Sequence, residues 1–561
     1  MHSYEVWVNG VEEPGTRWVY SPRVGRLLRE PFAVLGLKAR LERGEDLPYD
    51  DRLLAGRVAL STPEQGLRAL AAARAAQPGW AGIPLADRLE LLYGVHRAVV
   101  ERREELTGLL VAEGHPVRLA AWELDSVTAS LHPDSVADFA GRLREPERTA
   151  AGRRTRMVRK PDGVVCLSPP RNAPTSNSFY GALALAAGNS LVVNAPPTAP
   201  LGVSFVYREI VAPLLERLGA PPGTLNVLCT HARAVVRQWL DSPDCDDLVF
   251  FGGSEQGLKL ERECVAAGKK PVLELSGNDG VLVWHDAEAD LAARALCERY
   301  YGSGQICMTP KFAIVHPEVA DRLLKELMEQ VREIRPGPPE DPRTVLSPVV
   351  KRAEFTEFLG EVLEAGGELL CGGEFVDVDD EPSAAGPFIR PAVVRVDGLA
   401  RAARLRAFRE ETFFPLLCVV VPEAPVRLEE AIGFLNANRY GLRNSLWSRD
   451  ERVVERFCEE VVNGGMLKVN DSHIGCLPLL PYNGGTGATG GVFGEANMPA
   501  VRTTHLQSIA VATLVRPRES VFDHAAACGT YPAGAADPAG ARGPAGAPDL
   551  AGSRGPAGST G

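Results

Sequence analysis

From Gly163 onward, short apolar runs alternate with amphipathic segments long enough to be helices. "GVVCLS", "SLVVNA", "LNVLC", "DLVFF" and "PVLEL" read as strands buried on both faces, since they run apolar rather than alternating strictly with polar residues. Between most of them lie helical patterns such as "PLGVSFVYREIVAPLLERLG" and "EQGLKLERECVAAG". Strands separated by helices imply right-handed crossovers and a parallel sheet. The expected architecture is doubly wound α/β, with its ligand crevice at the carboxyl ends of the strands.

A second α/β series starts near Gly280 with "GVLVWHD", "LAARALCERYYG", "KFAIVHP" and "VADRLLKELMEQVREI", and residues 388–421 are strand-rich. Before the first series, residues 62–114 repeat apolar positions at helical spacing. At 561 residues the chain exceeds what one core normally organises, so two or three domains are expected.

Four stretches carry chemistry. "GSGQIC" ends in Cys307, whose small neighbours Gly302, Ser303 and Gly304 would let a substrate approach and leave its backbone N–H free for an oxyanion. Buried packing is the competing reading for any single cysteine. "PVLELSGNDG" puts Glu274 at the end of an apolar strand, where desolvation suits a carboxylate to general-base work, or where it simply caps a loop. "SPPRNAP" holds Asn172 between prolines after a strand, as an oxyanion donor or as a turn asparagine. In "LVFFGGSEQG" a strand runs through two glycines into a helix, whose N-terminal N–H groups could face a phosphate, although the full dinucleotide spacing is missing.

Taken in order, "PPRNAP", "ALALAAGNSLVVNAPPTAPLG", "APPGTLNVL", "ELSGND", "GSGQIC" and "EETFFP" resemble the aldehyde dehydrogenase superfamily, over residues 62–512. The resemblance implies a Rossmann-like cofactor domain, an α/β catalytic domain and a small β oligomerisation flap. It makes Cys307 the nucleophile that attacks an aldehyde, with Asn172 and the Cys307 N–H holding the oxyanion. Hydride would pass to NAD or NADP, and Glu274 would activate water against the resulting thioester. Glu411 would bind the nicotinamide ribose with Phe413 beside it, and Gly252, Gly253 and Gly257 would lie near the cofactor phosphates. Asn194 stands where the family has the lysine that binds the adenosine ribose, and Pro197 where it has an acidic residue, which leaves NAD and NADP both open. Arg171 and Ala173 replace flanking aromatics, so Ala173 would widen the substrate tunnel. Arg171 would meet an acidic substrate or pair at the surface.

The expected division follows: residues 1–141 as the helical part of the cofactor domain, 142–162 as an oligomerisation strand, 163–279 as the cofactor-binding core, 280–470 as the catalytic domain, 471–517 as the return with a second oligomerisation strand, and 518–561 as a disordered Gly/Pro/Ala-rich tail. A homodimer or homotetramer is expected from the flap. Retention of Glu274 favours hydrolysis over transfer of the acyl group to coenzyme A or reductive chemistry, and the intact set of four residues argues against a silent scaffold. A net charge of −11 argues against nucleic acid and anionic membranes. The eleven cysteines are scattered with no CxxC pair, which suggests neither a disulfide framework nor a metal site and points to reduced thiols in the cytoplasm. The N-terminus carries acidic residues where a signal peptide needs basic ones, and no apolar run is long enough to span a bilayer.

Overall fold

Two seven-stranded sheets, built on the predicted strands, organise the chain. The computed structural model describes residues 1–150, 153–480, 485–494 and 499–512. The expected tail at 518–561 and part of the glycine-rich run near residue 482 lie outside them.

The first sheet runs Lys270–Glu274, Asp247–Phe251, Val164–Ser168, Ser190–Ala195, Leu225–Cys229, Val6–Val8 and Val11–Glu13. Its first five strands are parallel, as the crossovers require. All residues of Val164–Ser168, Ser190–Ala195 and Leu225–Cys229 are buried, which explains their continuous apolar character. The chain leaves Val164–Ser168 in one direction through Ser190–Ala195 and returns on its other side at Asp247–Phe251. That reversal opens a crevice past the carboxyl ends of these two strands. Asn172 follows the first of them, and Gly252 and Gly253 follow the second.

The expected parallel sheet is in fact mixed. The hairpin of Val6–Val8 and Val11–Glu13 adds two antiparallel strands at one edge. The rest of the first sixty residues, which carried no sequence signal we could place, forms a three-stranded sheet of His2–Tyr4, Leu54–Ala59 and Trp18–Pro22, with helices Val24–Arg29 and Pro31–Glu42.

The second sheet runs Glu368–Cys371, Ala392–Asp397, Leu416–Val421, Pro310–Val315, Asp279–Val283, Arg443–Trp447 and Met466–Val469. Only Glu368–Cys371 is antiparallel to its neighbour. Cys307 lies just before Pro310–Val315, and Glu411 and Phe413 just before Leu416–Val421. The carboxyl-end rule therefore holds for the first sheet but not for the second, whose functional loops lead into its strands.

Among the described residues, those within 146–157 and 508–512 belong to a second compact unit. The stretches "RRTRMVRKPDG" and "RTTHLQSIAVATLV" supply the strands Arg153–Pro161 and Thr504–Ala512, which are neighbours in a three-stranded sheet with Arg148–Ala150. Thr504–Ala512 is an edge strand and leaves Leu506 and Val511 exposed. Among the described residues no helix is long and apolar enough to cross a membrane.

Candidate active site

The helix predicted through "LAARALCERYYG" ends at Cys297, and the chain tightens into a 3-10 turn before breaking at Tyr301. Gly302, Ser303 and Gly304 then take left-handed backbone, with φ of 59°, 57° and 70°. Glycine adopts that region freely but serine rarely does. Ser303 is held there by Ser347: its hydroxyl donates to the Ser347 carbonyl at 2.5 Å and accepts from the Ser347 N–H at 3.0 Å. The loop delivers Cys307, half-buried, to the wall of a cavity of about 260 Å³.

Asn172, Glu274, Glu411 and Phe413 line the same cavity. The Asn172 side-chain amide donates to the Gln305 carbonyl at 3.0 Å, which orients it and leaves its second N–H to give. The Asn172 turn is itself fixed by buried groups. His115 Nε2 lies 3.2 Å from the Asn172 carbonyl, and the fully buried Glu123 accepts from the Thr175 and Ser176 N–H groups at 2.7 and 2.8 Å. Glu274 is buried at the end of its strand. Glu411 accepts from the Gly277 N–H at 3.0 Å, and Gly277 lies so close to the nucleophile loop that a Cβ there would sit 2.4 Å from the Cys307 carbonyl oxygen. Burial pushes the Cys307 thiol well above its ordinary range, Glu274 and Glu411 add to the rise, and Lys311 opposes it.

The cofactor-binding positions divide. Gly252 and Gly253 line the cavity, with Gly253 at the N-cap of helix Ser254–Ala266 and open space where a side chain would project. Gly257 is a packing glycine, since a Cβ there would meet the Leu275 side chain at 2.1 Å. Asn194 is fully buried, and its amide is tied to the Thr230 backbone, accepting from the N–H at 2.9 Å and donating to the carbonyl at 3.0 Å. Neither lines this cavity.

Sequence reasoning missed three groups. Lys311 and Arg299 are fully buried behind the loop, and Lys311 was visible only as a charge inside an apolar strand. His115 and Glu123 lay within helical patterns that packing alone explained. The N-terminal segment supplies Tyr20, Ser21 and Lys38 to a second cavity of about 630 Å³, which also takes in Arg171 and shares Asn172, Ile306, Lys351 and Phe413 with the first.

The model of the aldehyde dehydrogenase family matches residues 47–508. An alpha-ketoglutarate semialdehyde dehydrogenase of Haloferax volcanii is 30% identical over 76% of this chain and 86% of its own length. A vanillin dehydrogenase of Corynebacterium glutamicum is 28% identical over 78% and 87% respectively. Among solved structures, an NAD-dependent aldehyde dehydrogenase from Sinorhizobium meliloti has the same fold, with a TM-score of 0.75 at 22% identity over 92% of this chain and 96% of that one. The sequence order of the motifs and the cavity that gathers Cys307, Glu274 and Asn172 agree with that match, and the chain belongs to the aldehyde dehydrogenase family.

Proposed function

We propose that this chain oxidises an aldehyde to its carboxylic acid with NAD or NADP, and that Cys307, Asn172 and Glu274 perform the protein's part. The observation that carries the reading is the single cavity on which these three residues meet Glu411 and Phe413. Cys307 sulfur bonds to the carbonyl carbon, and the π pair moves to oxygen. The resulting oxyanion is received by the second N–H of the Asn172 amide and by the Cys307 N–H. A thiol whose pKa is raised by burial keeps its proton at neutral pH, so Glu274 is the group to take it. When bound, the nicotinamide supplies the acceptor for the hydride that converts the thiohemiacetal to a thioester. Glu274 passes the thiol proton to solvent and then removes a proton from water; water oxygen bonds to the acyl carbon, the C–S bond breaks, the sulfur takes the proton from Glu274, and the acid leaves.

The residues present fit the nicotinamide half of such a cofactor. Glu411 and Phe413 would hold it, and Gly252 and Gly253 offer phosphate an open approach to a helix N-terminus. At the adenosine half the Asn194 amide is buried and tied to Thr230, and the absence of an acidic group at Pro197 leaves room for NADP as well as NAD. The exposed apolar edge of Thr504–Ala512 supports a homodimer or homotetramer. The ten free cysteines among the described residues support a reducing compartment, the cytoplasm.

The test is turnover of an aldehyde panel with each cofactor, with and without coenzyme A, followed by absorbance of the reduced cofactor. Aldehyde-dependent reduction that disappears in Cys307→Ala and needs no coenzyme A is expected. A strict requirement for coenzyme A would replace hydrolysis by acyl transfer. No turnover with any pairing would leave the silent scaffold.

A further inference from the structure

Lys311 stands in Pro310–Val315, a strand buried along its whole length, and its own side chain is fully buried. It forms no ion pair among the described residues. Instead the ammonium donates to the Ile306 carbonyl at 2.6 Å, the Thr309 hydroxyl at 3.0 Å and the Gly304 carbonyl at 3.4 Å. Its three donors are thus all used, two of them on the left-handed loop that carries Cys307. Arg299, also fully buried, donates to the same Gly304 carbonyl at 3.3 Å and the same Thr309 hydroxyl at 3.1 Å. Two dry cations therefore grip one carbonyl three residues ahead of the nucleophile. On its other side the ammonium faces the Phe413 ring, 5.8 Å from its centroid, on the cavity wall.

A neutral amide in this place would make comparable bonds to the loop without the desolvation that an ammonium suffers. What lysine adds is a third donor, so that one side chain reaches the Gly304 and Ile306 carbonyls and the Thr309 hydroxyl together. The charged and titratable groups around it are Arg299, Asp279, Glu411 and Cys307.

We propose that Lys311 is a positioning residue for the nucleophile: its ammonium fixes the Gly304 and Ile306 carbonyls, and with them the loop that carries Cys307. The proposal rests on the reading of Cys307 as the nucleophile.

The test reads the thiol directly, without cofactor or turnover. The rate of iodoacetamide alkylation of Cys307, followed by mass spectrometry of its peptide, is measured from pH 6 to 10 in the full chain, in Lys311→Met and in Lys311→Gln. Gln keeps a donor for the loop carbonyls but not the charge. The expected result is Cys307 alkylation about tenfold slower in Lys311→Met than in the full chain, with Lys311→Gln in between, because the loop that presents the thiol loses its anchor. Gln should recover more of the thermal midpoint than Met does. Variants that lose thermal stability but keep the wild-type alkylation profile would overturn the proposal and leave Lys311 a structural residue. Failure of both to fold would do the same, since Gln retains the loop contact. If Cys307→Ala still turns over aldehyde, the catalytic reading falls, while the alkylation shift still decides the Lys311 proposal.

Discussion

The side-chain amide of Asn172 and the backbone carbonyl of Gln305 are joined at 3.0 Å, so the turn after Val164–Ser168 is tied to the loop that carries Cys307. One amide N–H makes this bond and the other is left to give. Asn172→Ala should lower kcat by about a hundredfold or more, in the range known for loss of one oxyanion donor. Steady-state kinetics on a neutral aldehyde check this, with an unchanged circular dichroism spectrum as control.

Glu274→Gln keeps the shape of the strand end but removes the base. The expected outcome is loss of steady-state turnover by about a thousandfold, with a covalent acyl adduct accumulating on Cys307. Intact-protein mass spectrometry after mixing with aldehyde and cofactor detects the adduct. Its absence, with slow turnover persisting, would move the base elsewhere.

Gly277→Ala would set a methyl group 2.4 Å from the Cys307 carbonyl oxygen, and that neighbour is backbone. The loop must shift, at a cost of about 1–3 kcal/mol for overpacking. Activity should fall much further than stability does, by about a hundredfold, because the displaced atoms belong to the nucleophile. Thermal melts and kcat measured on one preparation separate the two effects.

Glu123 reaches the Asn172 turn through the Thr175 and Ser176 N–H groups, the Ser176 hydroxyl and His115. Glu123→Ala strands two buried donors and should cost about 2–4 kcal/mol by denaturant unfolding. A fall in kcat with the cofactor KM unchanged would show that the loss travels through Asn172 rather than through the cofactor wall.

Burial raises the Asp279 carboxyl to about 7, against an ordinary value of 3.8. Between these values the folded chain binds a proton that the unfolded chain has lost, so this group's contribution to stability falls as pH rises from 4 to 7 and is level above that. Asp279→Asn removes the dependence. The variant's melting temperature relative to wild type should climb through that window and plateau above pH 7, as scanning fluorimetry would record.

The sequence was most legible where burial is symmetric. The mostly apolar strands at Ser190–Ala195, Leu225–Cys229 and Asp247–Phe251 fall where their apolar runs stood, because burial on both faces leaves polar residues few places. It was least legible where a short strand pairs at long range. Val6–Val8 shares its sheet with Leu225–Cys229, and nothing local to three residues announces a partner so far along the chain. Within the site, Cys307, Glu274 and Asn172 were findable because their chemistry needs those side chains in small-residue surroundings. Lys311, His115 and Glu123 were not, since each acts on backbone atoms, His115 and Glu123 on those of a distant segment, and backbone groups look the same in every sequence. Asn194 shows the converse: its place in the motif suggested a ligand, but its amide joins two strand ends.

The larger cavity is walled on one side by Tyr20, Ser21 and Lys38 and on another by Phe413. During synthesis the first of these leaves the ribosome long before the last, so the wall is made well ahead of the room it encloses. A nascent chain can expose the Cys307 thiol before the chamber next to its own cavity has a second wall. That chamber is complete only when the N-terminal segment has met the loop that carries Phe413.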